Sequence, residues 1–173
     1  MFSRVANYIS NNFYNVFLTG LVILNIAPLL APVFAHLGWN APASIIYNIY
    51  SFFCHQFGWR SIHIFDYQCA WCARDMFIWG SFLFIAVLVK IRKVKGIKWY
   101  WIIPFTIPIA LDGVIQTIAT LFGYNSADPY YQSSNPIRML TGAIFGTGLG
   151  LAMLPMLRGL TTDEKKVTNA SND

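Results

Sequence analysis

Charged residues are scarce in this sequence, at 11% of 173 positions, where a soluble domain carries roughly a quarter. Intrinsic disorder is excluded as well, because it requires much charge and few aromatics, and Phe, Trp and Tyr supply 17% of this chain. Three cysteines are too few for a disulfide-dense secreted scaffold. Nucleic acid is excluded as a partner despite a net charge of +5: five of the twelve basic residues (Lys90, Arg92, Lys93, Lys95 and Lys98) share one short loop, and no basic surface interleaved with stacking aromatics lies elsewhere. What the chain has in quantity is apolar side chain, 56% of the total. It reads as a membrane protein whose main partner is the lipid bilayer.

Four apolar runs, 14–34, 71–89, 99–122 and 137–157, approach the ~20 residues that cross a ~30 Å hydrocarbon layer. A shorter run, 43–57, is broken by Asn48, Ser51, His55 and Gln56, and reads as a fifth span or a re-entrant half-helix. The expected fold is therefore all-α, a polytopic transmembrane helical bundle of four or five spans. A single domain would cover 1–160, and the polar tail 161–173 is expected to be disordered. Lys and Arg collect on the cytoplasmic side of short loops. That rule places loop 90–98 and the tail inside a cell membrane and segments 55–70 and 123–135 outside it. The N-terminal run is too long for a signal-peptide core and contains Asn25, Pro28 and Pro32, so it is kept as a span.

Gly142, Gly146 and Gly150 recur every four residues and so share one helix face, which permits close helix contact. Packing within the chain is the expected use of this stripe, and self-association the alternative.

All three cysteines lie between residues 54 and 72, in the pattern Cys54-His55 followed by Cys69-Ala70-Trp71-Cys72, with Asp75 three positions later. Thiolate, imidazole and carboxylate are the donors that zinc accepts. The expected metal ligands are Cys54, His55, Cys72 and either Asp75 or Cys69, holding one divalent ion, with zinc favoured. Two other readings compete with this one. The cysteines are ordinary small apolar residues, or Cys69 and Cys72 form a C-x-x-C redox pair.

Asp112 and Gln116 stack on one face of the third long run. A carboxylate near a bilayer centre costs on the order of ~2.5 to 3.5 kcal/mol, so it must face the bundle interior and find a partner. Arg138 and Arg74 are the available cations, and the four residues together are expected to line an intramembrane polar cavity. Ser133-Ser134-Asn135-Pro136 before Arg138 reads as a capped helix start.

The residues Cys54-His55-Gln56, Arg60-Ser61, Gln68, Cys72-Ala73-Arg74-Asp75, Asp112-Gly113, Gln116, Asn135, Arg138 and Thr141-Gly142 resemble the pattern of the membrane-protein family known as domain of unknown function number 2085. The resemblance extends upstream through Tyr47 to Ala31-Pro32 and His36-Leu37-Gly38. It implies that Cys54, His55, Cys72 and Asp75 occupy the family's motif positions and that Cys69 is an additional cysteine. It brings no activity with it.

Three functions fit these residues: a membrane protein with a structural metal cluster at its outer boundary, a non-catalytic subunit of a larger membrane complex, and a thiol-disulfide oxidoreductase using Cys69 and Cys72. There is no hydrolase signature and no separate general base near the cysteines, so the sequence assigns no enzymatic activity.

Overall fold

The computed structural model describes residues 8–9, 12–92, 94–123 and 133–170. Lys93, most of the loop 123–135 and the last three residues of the tail lie outside the described residues. The order of elements is α1 (Phe13–His36), α2 (Asn40–Ser51), β1 (Ser61–Ile64), β2 (Tyr67–Cys72), α3 (Ala73–Ile91), α4 (Ile102–Leu121) and α5 (Asn135–Ala170). Single 3-10 turns, Gly58–Arg60 and Trp99–Trp101, precede β1 and α4.

The fold is mostly helical, but the expectation of an all-α chain needs correction. Part of the 55–70 segment is an antiparallel hairpin pairing Ile64 with Tyr67. Its two-residue turn, Phe65-Asp66, has φ of 52° and 66°, the twist that right-handed strands require of a tight loop. Phe65 is no usual residue for this conformation; its ring stacks at 4.5 Å on His36 at the end of α1.

Three segments are long and apolar enough to cross a membrane: Phe13–His36, Trp99–Ala119 and Asn135–Gly159. α3, with 19 residues, is ~28 Å long, but it carries Arg74 and Asp75 at its start and Lys90 at its end. α2 has 12 residues and rises only ~18 Å, too little to cross ~30 Å of hydrocarbon. The 43–57 segment is thus a short helix followed by irregular chain. The backbone of α5 remains helical through Ala170, into the tail expected to be disordered.

Proline shapes two of the long helices. Pro28, within α1, has no N–H to bond the carbonyl of Leu24, and the Tyr50 hydroxyl of α2 donates to that oxygen at 2.8 Å. Pro155, within α5, likewise frees the carbonyl of Leu151, which the Ile97 N–H of the basic loop bonds at 3.2 Å. Each of these two freed acceptors anchors a neighbouring segment, as a backbone carbonyl in an apolar setting requires.

The core has two parts. Leu21, Phe82, Ile85, Ala86, Val89 and Leu154 join α1, α3 and α5, while Ala31, Tyr50, Cys54, Ala70 and Trp71 join the upper part of α1 to α2 and the hairpin. The outer faces stay apolar and exposed, as at Ile103, Ile107, Leu111, Ile115 and Ile118 of α4, which suits contact with lipid.

The glycine stripe faces α3. A Cβ on Gly142 would lie 2.6 Å from the Arg74 carbonyl oxygen, and one on Gly146 would lie 2.2 Å from that of Ile78. Gly80→Ala, with nothing within 4 Å of the added carbon, is expected to leave thermal unfolding in detergent unchanged within ~0.5 kcal/mol. Gly146→Ala is expected to destabilise by ~1 to 3 kcal/mol, because the two backbones must separate. Equal melting of the two variants would show that the seam is not tight.

Candidate metal centre and polar cavity

Cys72 ends β2 and caps α3. Its Sγ accepts the Asp75 N–H at 3.5 Å and lies 3.1 Å from Asp75 Oδ2. A carboxylate in the first turn is also favoured by the helix dipole, so capping alone accounts for these two residues being neighbours. It does not account for Cys54, which arrives from the end of the α2 segment and whose Sγ accepts the Cys72 N–H at 3.3 Å. Next to it, Gln56 holds a left-handed backbone, φ 50°, a conformation costly for a non-glycine residue. The Gln56 amide bonds the Tyr47 carbonyl at 2.7 Å, which fixes the turn. As a result the two sulfurs and an Asp75 carboxylate oxygen all lie within 4.8 Å of one another.

The other two residues expected as ligands are not part of this group. His55 is exposed and stacks on Phe57 at 5.7 Å, although it lines the same cavity as Cys54. Cys69 is fully buried in the hairpin core. Cys69 and Cys72 both lie in β2, whose pairing with β1 is irregular between Gln68 and Cys72. The thiols that the fold brings together are Cys54 and Cys72.

The sulfurs differ in acidity. A hydrogen bond from the Cys72 thiol, helped by the N–H groups of Gln56 and Cys72, outweighs burial and lowers Cys54 to about 7. Cys72, which holds the shared proton, is pushed up by that same bond, by burial and by the Asp75 charge. Burial pushes Cys69 up to about 11. Ligation by thiolate is thus easiest to begin at Cys54.

Beside the thiols opens a cavity of about 190 Å³, walled by Cys54, His55, Cys72 and Asp75 on one side and by Arg60, Arg74, Gln116 and Arg138 on the other. Arg74, in the first turn of α3, forms an ion pair with Asp112 of α4. Gln116 donates to Asp112 Oδ2 at 3.0 Å and to Ser133 Oγ at 3.0 Å, and Ser133 Oγ donates to Asp112 Oδ2 at 3.2 Å. Arg138, 3% exposed, donates through Nε to the backbone oxygen and Oγ of Ser133, both at 2.9 Å, and through Nη2 to Gln116 Oε1 at 3.2 Å. Arg74, Asp112, Gln116 and Arg138, singled out from sequence for one polar cavity, meet in this network. Sequence reasoning gave Arg60 and Ser133 no part in it. Arg60 entered only through the family pattern, and Ser133 only as part of a helix cap.

Long apolar helices with lipid-suited outer faces, closed around a polar interior, define a polytopic helical membrane protein. Residues 54–152 match the family described as "Predicted membrane protein (DUF2085)", and the chain belongs to that family. The match includes every residue of the thiol cluster and of the polar network. The chain is also similar to the uncharacterised protein MJ1492 of Methanocaldococcus jannaschii, with 32% identity over 154 residues, covering 83% of this chain and 92% of that protein. No solved structure matches the chain significantly.

The Arg74–Asp112 pair is nearly buried, with side chains 22% and 12% exposed. Asp112→Asn strands a cation and is expected to cost about 3 to 5 kcal/mol, whereas an Arg74→Met, Asp112→Leu double replacement removes both charges and should recover most of that loss. Unfolding of the two variants in detergent decides it: a double variant no more stable than Asp112→Asn would show that the pair is not what the helices lean on.

Proposed function

We propose that this protein holds a divalent metal ion, zinc in preference to others, through Cys54, Cys72 and Asp75 at the extracytoplasmic boundary of the membrane. The observation that carries this reading is the convergence of two sulfurs and a carboxylate oxygen from two separate chain segments. Zinc bonds of ~2.0 to 2.3 Å require these atoms to close by about an ångström. The fourth position falls to water or to His55, which shares the cavity wall. The role is structural. An ion here ties the strained turn after α2 to the start of α3, and so holds the hairpin against the bundle.

The topology that accompanies this site has four crossings, α1, α3, α4 and α5, with α2 and the hairpin packed at the outer end. The charges at both ends of α3 suit a helix that reaches from one interface to the other. A reporter domain fused after Lys98 is expected to read as cytoplasmic and one fused after Gly123 as extracytoplasmic. The reverse result would turn the site to face the cell interior.

Elemental analysis of the purified protein tests the metal. About one zinc per chain is expected, falling to background in Cys54→Ser and in Cys72→Ser, reduced in Asp75→Asn and retained in Cys69→Ser, whose thiol stands apart. A metal-free protein carrying a Cys54–Cys72 disulfide would overturn the proposal and make the pair redox-active.

A further inference from the structure

Among the described residues, the cavity beside the thiols gathers more guanidinium groups than carboxylates. Arg60, Arg74 and Arg138 line it along with Asp75, and Asp112 stands behind Arg74. Among the described residues three guanidinium groups face two carboxylates. A divalent ion held by two thiolates would add no net charge to these.

Like charges gathered in a partly buried site repel one another. Among the described residues Arg138 bonds neutral acceptors, on Ser133 and Gln116. Among the described residues Arg60 makes no ion pair; its guanidinium lies over the Trp59 ring at 4.1 Å. Burial and the Arg74 charge both lower its affinity for its proton. The Nε groups of Arg60 and Arg74 are buried without an acceptor, and a buried donor left unmade is costly. An oxyanion supplies acceptors in the planar geometry that guanidinium forks match.

The mouth of the cavity indicates what bears the oxyanion. Phe53, in its wall, is 73% exposed, and its neighbour Phe52 is 88% exposed. Exposed apolar rings beside a charged cavity mark a surface suited to acyl chains. A phosphodiester headgroup supplies a singly charged oxyanion to the guanidinium groups, and its acyl chains would continue along the aromatic rim. We propose that the cavity is a binding site for the phosphodiester headgroup of a membrane lipid, gripped by Arg60 and Arg138.

The test is calorimetric titration of the whole protein, purified in a phosphate-free maltoside detergent, with dioctanoyl phosphatidylglycerol. The same titration is run with dioctanoylglycerol, which lacks the phosphate, and with inorganic phosphate, each before and after metal is stripped with a chelator. Saturable binding of the phospholipid alone is expected, with or without metal, weakened about tenfold or more in Arg60→Gln. Arg60→Lys, which keeps the charge but loses the fork, should fall between the two and serves if the first variant fails to fold. Equal binding of dioctanoylglycerol would reduce the site to its aromatic rim and overturn the proposal. Saturation by inorganic phosphate without the lipid would overturn it in favour of a free anion, and so would undiminished lipid binding in both folded Arg60 variants.

Discussion

The close approach of α3 and α5 governs much of this structure. Gly142 and Gly146 allow the carbonyls of Arg74 and Ile78 to lie where side chains would otherwise stand, so the two helices meet backbone to backbone. Lipid tails are as apolar as leucine, and association within a bilayer draws on such packing and on polar contacts rather than on hydrophobic burial. The seam also sets the geometry of the site. Arg138 is one turn before Gly142 on α5, and Arg74 sits directly against Gly142 on α3. A wider separation of the helices would pull the two guanidinium groups apart and open the network through Gln116 and Ser133. On the far side of α5, a Cβ on Gly148 would meet the Phe105 side chain of α4 at 2.4 Å, so the helix bearing Arg138 is clasped from both sides.

Backbone accounting explains the rest of the arrangement. In an apolar environment each carbonyl released by proline needs a new donor, and here each of two is met by a segment that would otherwise be loosely held. Tyr50 reaching Leu24 draws the end of α2 down beside the middle of α1. The chain leaving α2 then has few residues in which to turn back toward the hairpin, and the left-handed Gln56 is where that turn is made. Cys54 is delivered to Cys72 by this turn. The position of one sulfur thus traces back, through a tyrosine hydroxyl, to a proline in a neighbouring helix.

How far the sequence foretold this structure follows from the strength of each local signal. The long helices were legible because runs such as 14–34 and 137–157 are apolar on all sides, and the use of the glycine stripe followed from its four-residue spacing. That Asp112 would find a cation was legible because a carboxylate inside an apolar run must do so; the choice of Arg74 over Arg138 was not. The hairpin was not, since its turn is Phe65-Asp66 instead of the glycine-bearing pairs that announce such loops. Missing the hairpin carried over to the thiols. Within the hairpin Cys69 lies in the core, while Cys72 meets Cys54. Arg60 escaped notice for a related reason, because its place in the cavity wall depends on how the chain folds back between α2 and the hairpin.

The distribution of charge separates what architecture needs from what it does not. Fixing the register of α3 against α4 takes one ion pair, and Arg74 with Asp112 supplies it. Neither Arg60 nor Arg138 adds to that lock, and each increases the desolvation and repulsion its neighbours bear. The polar groups that hold Arg138 in place, Ser133 and Gln116, are neutral: they orient the guanidinium without cancelling its charge. Arg138 still ties α5 to α4 through Gln116. The guanidinium of Arg60, with no ion pair among the described residues and a buried Nε lacking an acceptor, is the cost that folding alone does not explain.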